Sequence, residues 1–290
     1  MQPLLSLETS LGDVARTKLV TLNHKDTLAE AVRRIVRESF RRVPIVDDEG
    51  YLLGLSNAMD LLTVVYRAYR LSAQKGDYSI FRRVIERPLG EFNWLNYICL
   101  PAQTPLADAI RAMWRKGVGV VVLLEEGKPT GILTERDIVI RLTKEPALQE
   151  YVSRHMTKDF YKASADAPLR DVLEKMVEVG IRRIPIFDGE ELAGLLREKD
   201  ALSSIATHLT KPEELNRLLQ EPVIKVSSAK PPSVYPEASL SYAASLMSEL
   251  GLGILMVYNG QRYLGVLTEK DILTALVKRH PHLRPLRLRS

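Results

Sequence analysis

A single cysteine, Cys99, stands in 290 residues, so no internal disulfide can form. The fold must be held by packing alone, which fits a reducing, cytoplasmic setting. No apolar run approaches the ~18 residues of a membrane span. The longest of interest, residues 117–124, reads as a buried strand. The first ten residues, MQPLLSLETS, lack the basic start and apolar stretch of a secretory signal. Catalytic signals are missing too. His24, His155, His208, His280 and His282 form no helical metal pair, and there is no phosphate-cradling P-loop. Gly117-x-Gly119 and Gly251-x-Gly253 lack the third glycine of a dinucleotide fingerprint. The chain is therefore expected to have no catalytic residues, no metal and no cofactor, and not to be an enzyme.

Charge is scarce over most of the chain in net terms. The total is +5, from 41 basic and 36 acidic residues. Five of the basic residues, Lys278, Arg279, Arg284, Arg287 and Arg289, stand in the last thirteen positions, which hold no acid. The remaining 36 basic residues balance the 36 acids, so the body offers no basic nucleic-acid surface and only the tail is basic. Hydrophobic content of 46% allows a sizeable core.

What the chain does have is a heptapeptide that comes four times, each with glycine first and aspartate six residues later. The full form is Gly131-Ile132-Leu133-Thr134-Glu135-Arg136-Asp137, and it returns as Gly265-Val266-Leu267-Thr268-Glu269-Lys270-Asp271. Weaker copies run from Gly54 through Asn57 to Asp60 and from Gly194 through Arg197 to Asp200. A helical pattern precedes each copy. It opens on Leu28, Leu106, Leu169 and Leu240, continues three positions on at Ala31, Ala109, Val172 and Ala243, and seven on at Ile35, Met113, Met176 and Met247. That spacing is one buried face of an amphipathic helix, so the methionines are core residues. The helices are expected to stop at Ser39, Gly117, Gly180 and Gly251. From leucine to motif aspartate the distances are 32, 31, 31 and 31 residues, which establishes a repeat.

Between helix and heptapeptide lie two short apolar stretches joined by a tight turn, a hairpin signature that includes Asn259-Gly260. Each repeat thus reads strand, helix, strand, strand, helix. The repeats cover about 13–65, 88–143, 150–206 and 222–278, with a lead-in at 1–12, a helical linker at 66–87, a polar linker from Pro212 to Pro222 and a basic tail. A three-stranded sheet with helices on one face leaves apolar surface uncovered, so the units should pack in pairs. Chain order suggests repeat 1 with 2 (residues 1–143) and 3 with 4 (residues 144–290).

This β-α-β-β-α order, with Gly-h-h-Thr-x-x-Asp opening the last helix, resembles the cystathionine-β-synthase (CBS) domain over nearly all of the chain. The resemblance implies an α/β (α+β) fold of four CBS repeats in two pseudo-twofold pairs, that is, two tandem Bateman modules. In layout it is similar to the γ subunit of AMP-activated protein kinase. It also implies binding of adenosine-containing ligands, with the aspartate on the ribose hydroxyls and the phosphates met by basic residues of the partner repeat.

Thr134-x-x-Asp137 and Thr268-x-x-Asp271 can be helix capping boxes, the commoner role for such a pattern, or can present a helix start to a phosphate. Asp200 persists although its cap position is Arg197, a poor N-cap, and Asp60 persists opposite Asn57; recurrence of the acid without the hydroxyl favours ribose binding. Arg41-Arg42 and Arg182-Arg183 hold positions that are Gly119-Val120 and Gly253-Ile254 in repeats 2 and 4. The arginines and the full Thr/Asp motifs are therefore complementary within each expected pair. The sites of Asp137 and Asp271 are expected to take phosphate from Arg41, Arg42, Arg182 and Arg183. Those of Asp60 and Asp200 are expected to take adenosine alone, or nothing.

The expected function is a non-catalytic, regulatory AMP, ADP or ATP sensor, read by an unidentified protein partner. S-adenosylmethionine or another adenosyl compound is an alternative ligand. Nucleic-acid binding through the tail, and an adaptor with empty clefts, are rivals of other classes. Association with a membrane is not expected, and a homodimer is one arrangement open to the chain.

Overall fold

The computed structural model describes residues 6–38, 42–141, 146–280 and 283. A four-residue helix α1 (Leu11–Val14) stands ahead of repeat 1, which holds β1 (Leu22–Asn23), α2 (Leu28–Glu38), β2 (Arg42–Val46), β3 (Leu52–Asn57), α3 (Ala58–Lys75) and α4 (Ser79–Ile85). Repeat 2 holds β4 (Ile98–Leu100), α5 (Leu106–Lys116), β5 (Val120–Glu125), β6 (Lys128–Thr134) and α6 (Glu135–Arg141). Repeat 3 holds β7 (Ala163–Ser164), α7 (Leu169–Val179), β8 (Arg183–Asp188), β9 (Glu191–Arg197), α8 (Glu198–Ala206) and α9 (Pro212–Gln220). Repeat 4 holds β10 (Ser233–Val234), α10 (Leu240–Glu249), β11 (Ile254–Tyr258), β12 (Tyr263–Thr268) and α11 (Glu269–Arg279).

Each repeat makes one three-stranded sheet, its first strand parallel to the second and the second antiparallel to the third. The parallel step needs a crossover, and the first helix of each repeat supplies it. The register is the same four times. The first residue of the middle strand faces the residue that caps the last helix: Arg42 faces Asn57, Val120 faces Thr134, Arg183 faces Arg197 and Ile254 faces Thr268. The equivalence of Arg42, Val120, Arg183 and Ile254 inferred from spacing therefore holds in three dimensions.

The expected helix faces are the buried ones. Leu28, Ala31, Ile35, Leu106, Ala109, Met113, Leu169, Val172, Met176, Leu240, Ala243 and Met247 all lie in the core. Gly117 and Gly180 terminate α5 and α7 in the left-handed conformation that glycine adopts without steric cost. In repeat 4 the cap is Leu250, with Gly251 left-handed one residue later. Ser39, the expected stop of α2, lies outside the described residues.

The chain forms two compact units, and they cut across the two halves expected from chain order. One holds residues 20–95 and 161–230, hence repeats 1 and 3; the other holds 1–19, 96–160 and 231–290, hence repeats 2 and 4. We call them the odd and the even unit. Helix packing explains the grouping. In the odd unit α2 and α3 pack on α8 around one apolar cluster; in the even unit α6 packs on α10 and α11 around another. The stretch 66–87, expected as a helical linker, is helical: it extends α3 and forms α4, with Tyr66, Tyr69, Phe81 and Ile85 buried. The polar stretch after Pro212 is α9, its Leu215 and Leu219 buried. Ion pairs Arg70–Glu174 and Arg82–Glu213 tie these additions together within the odd unit.

The short segment leading into each repeat does not pack on that repeat. Residues 11–16, ahead of repeat 1, lie on repeat 2: Leu11 N–H donates to Thr104 O at 2.9 Å, and Arg16 and Ile132 exchange two 2.9 Å bonds. The 3-10 turn Leu89–Glu91 and Trp94, ahead of repeat 2, lie on repeat 1, where Leu89 N–H donates to Asp26 O and Leu55 N–H to Trp94 O. Likewise 152–157 lie on repeat 4 and 223–228 on repeat 3. The exchange is reciprocal between 1 and 2, and between 3 and 4.

Candidate functional site

The exchanged segments give the motif glycine its reason. None of Gly54, Gly131, Gly194 and Gly265 needs a positive φ. Each is a place where an incoming segment lies against the third strand. A Cβ on Gly54 would stand 2.7 Å from Trp94 Cβ, on Gly194 3.0 Å from Ser228 O, and on Gly265 2.6 Å from Thr157 O. At Gly131 the neighbours Leu123, Ala15 and Arg16 are 3.2–3.5 Å away. The glycine thus seats one residue of a neighbouring lead-in against the third strand, just ahead of the last helix: Arg16, Trp94, Thr157 and Ser228. All four stand twelve residues before the helix-opening leucine, a spacing that could have revealed them in the sequence.

At that helix start the aspartates behave differently. Asp271 Oδ2 accepts from Thr268 N–H at 2.8 Å and from Thr268 Oγ1 at 2.7 Å, and Thr268 Oγ1 accepts in turn from Asp271 N–H at 3.4 Å. Asp137 and Thr134 repeat this at 2.8, 2.6 and 3.5 Å. The other oxygen, Oδ1, meets only the Thr157 hydroxyl at 3.4 Å in Asp271, and among the described residues accepts no hydrogen bond in Asp137. Asp200 is fully engaged: Arg197 donates from Nε to Oδ2 at 2.8 Å and from Nη2 to Oδ1 at 2.6 Å. That bonding also raises the Arg197 guanidinium above its ordinary value. Asp60 bonds the Asn57 side-chain amide, while Asn57 Oδ1 caps α3 by accepting from Met59 and Asp60 N–H.

This geometry removes one argument made from the sequence. Asp200 Oδ2 accepts the Arg197 backbone N–H at 3.2 Å, as Asp137 and Asp271 accept those of Thr134 and Thr268. The acid keeps a capping role where the hydroxyl is gone, so its recurrence needs no ligand.

The remaining site residues fall as follows. Asp137, Thr134, Asp271 and Thr268 lie in the even unit; Asp60, Asp200, Arg42, Arg182 and Arg183 lie in the odd unit. Arg42, Arg182 and Arg183 are half-buried at the start of β2 and β8. Arg41 lies outside the described residues. In repeat 2 the corresponding Gly119 leaves room for Glu135, whose carboxyl carbon stands 2.6 Å from where a Cβ would be. The tail is shorter than expected, because Lys278 and Arg279 end α11 and Leu283 is buried. Arg284, Arg287 and Arg289 lie outside the described residues.

A second charged group fastens the lead-in that carries Thr157. Glu150 pairs with His155 Nε2 at 2.7 Å and accepts from Arg279 Nε. The bond to His155, then that to Arg279, holds the Glu150 carboxyl below its ordinary 4.5. A depressed carboxyl contributes stability that is complete above the unfolded value and lost as pH falls through the folded one. Glu150→Gln is therefore expected to lower the unfolding midpoint at pH 7, with the gap to wild type closing below pH ~4.5. Thermal melts from pH 7 downward check this; a gap that does not narrow as the pH falls below ~4.5 contradicts it.

Among the described residues no group of three His, Cys, Asp or Glu could hold a metal, and no helix is long and apolar enough to cross a membrane.

Four sheet-and-helix repeats, with exchanged lead-ins and a carboxylate at each last-helix start, make this a four-repeat α/β protein. The chain belongs to the CBS-domain family, whose profile matches residues 11–67, 89–144, 151–207 and 223–278. It is 29% identical over 246 residues to an uncharacterized 33.4 kDa protein of Thermofilum pendens, covering 83% of this chain and 82% of that one. It is 26% identical over 270 residues to protein MJ1225 of Methanocaldococcus jannaschii, covering 88% and 94%. The crystal structure of MJ1225, described as a candidate archaeal homologue of g-AMPK, superposes with a TM-score of 0.81 at 23% identity over 92% of this chain and all of that one. A conserved protein from Pyrococcus horikoshii matches at a TM-score of 0.57 and 19% identity, over 93% and 100%.

Proposed function

We propose that the protein is a non-catalytic regulatory module that binds an adenine nucleotide (AMP, ADP or ATP) at Thr134/Asp137 and at Thr268/Asp271. The observation that carries this reading is the half-engaged carboxylate. In both sites Oδ2 is held by the cap while Oδ1 accepts nothing, or one weak bond. A fixed, partly buried carboxylate oxygen suits a ribose hydroxyl. The same test argues against the Asp200 site, where Arg197 takes both oxygens. The description of MJ1225 as a candidate g-AMPK homologue agrees with a nucleotide. Bound nucleotide would bias the packing of the repeats, and a protein partner would read the change.

Calorimetric titration of AMP is the test. Asp137→Ala and Asp271→Ala are each expected to remove one site, or weaken it about tenfold, ~1.4 kcal/mol. Unchanged stoichiometry and affinity in both would reject the reading. S-adenosylmethionine and an oligonucleotide, titrated alongside, decide between the adenosyl and nucleic-acid alternatives.

A further inference from the structure

The two open sites share one frame. Each has a threonine cap, an aspartate at the third helical position, a motif glycine and a lead-in pinned by a pair of backbone bonds. Arg16 and Ile132 are bonded at 2.9 Å in both directions, and Thr157 and Val266 at 2.8 and 3.0 Å. The residue so delivered differs. Thr157 offers Asp271 a neutral hydroxyl at 3.4 Å, whereas Arg16 places Nη2 3.2 Å from Asp137 Oδ2. Asp137 is only 14% exposed, while the Arg16 side chain is 55% exposed and has room to swing.

We infer that Arg16 is a charge-selective latch on the Asp137 site. It makes that site discriminate between ligands that carry an anion beside the ribose and ligands that do not. The inference rests on the reading of Asp137 as a ribose-binding residue and names what that site requires.

One hydroxyl of a sugar diol reaching Asp137 takes the open Oδ1, and the second must share Oδ2 with the guanidinium or displace it. A neutral nucleoside gives the displaced guanidinium nothing in return, so part of its binding energy goes into breaking the ion pair. A nucleotide returns a phosphate oxygen, and a charge-assisted bond replaces the one lost. At Asp271 no such exchange is needed, because the Thr157 hydroxyl neither opposes a neutral ligand nor rewards a charged one. Arg16 is thus a specificity residue rather than part of the capping machinery.

The experiment isolates each site. Asp271→Ala leaves the Asp137 site and Asp137→Ala leaves the Asp271 site; AMP and adenosine are titrated into each. The ratio of AMP to adenosine affinity is expected to be about fivefold higher at the Asp137 site, ~1 kcal/mol at 1.4 kcal/mol per tenfold. Adding Arg16→Thr to Asp271→Ala should bring the ratio down to that of the other site, chiefly by tightening adenosine. Adding Thr157→Arg to Asp137→Ala should raise it. Thermal melts of the ligand-free variants confirm that each is folded. If AMP binds and Arg16→Thr leaves the ratio unchanged, the latch is wrong and the nucleotide reading stands. If neither ligand binds the wild-type chain, the nucleotide reading fails and takes the latch with it.

Discussion

Glu269→Ala is expected to destabilise the chain by about 3–5 kcal/mol, the cost of leaving a buried charge without its partner. Glu269, on α11, accepts from Arg136 Nε, on α6, inside the even unit. Their side chains are 12% and 17% exposed, and Arg136 Nη2 is buried with no hydrogen-bond partner among the described residues. A guanidinium in that position depends on the one carboxylate it has. Removing Glu269 withdraws the attraction but not the desolvation, which is why the single change costs more than the pair is worth. The double change Arg136→Met with Glu269→Leu removes both charges and fills similar volume, so most of the loss should return. Urea unfolding of wild type, single and double variants measures it. A loss below 1 kcal/mol in Glu269→Ala would show that water reaches Arg136. Asp137 follows Arg136 directly on α6, and Asp271 stands two residues after Glu269 on α11, so the single variant should also weaken nucleotide binding at both sites.

Much of the fold was legible because its signals are local. Helix faces such as Leu169-Val172-Met176 follow from a 3.6-residue period, and hairpins from turn residues between apolar runs. Their order, repeated four times, led to the family. What was not legible depends on contacts distant in sequence. No spacing tells which apolar helix face meets which, and the helices group repeat 1 with 3 and repeat 2 with 4. One polar-looking stretch hid a helix. α9 reads PEELNRLLQ, where Pro212 at the first position and Leu215/Leu219 on one face were readable signals outweighed by the charges around them. At the sites, the threonine–aspartate motif was visible, but its engagement was not. Arg197 looked like a poor cap because an arginine cannot accept an N–H; in the fold it donates to Asp200 instead and closes that carboxylate. Arg16 is not visible from the sequence as a site residue, because spacing counts it in repeat 1 (about 13–65) while it packs on repeat 2.

Gly265→Ala is expected to cost about 2–3 kcal/mol, near the top of the range for overpacking, while Gly131→Ala costs under about 1 kcal/mol by the same principle. The two glycines open identical motifs, so propensity alone predicts equal effects. The surroundings differ. A Cβ at 265 would stand 2.6 Å from the carbonyl oxygen of Thr157, a backbone atom fixed by its own bond from Val266 N–H at 3.0 Å. A Cβ at 131 would meet side-chain carbons of Leu123 and Ala15 at 3.2 and 3.3 Å, which can give by a few tenths of an ångström. The backbone contact cannot relax without breaking the bridge that presents Thr157 to Asp271. Gly265→Ala should therefore also lose ligand at the Asp271 site while the Asp137 site stays intact, a split that general loss of stability would not produce. Denaturant unfolding gives the stability difference, and AMP titration in the Asp137→Ala background gives the site effect. Equal destabilisation by both substitutions would mean the lead-in is free to move at 157. An intact Asp271 site in Gly265→Ala would mean that its carboxylate does not depend on the exchanged segment.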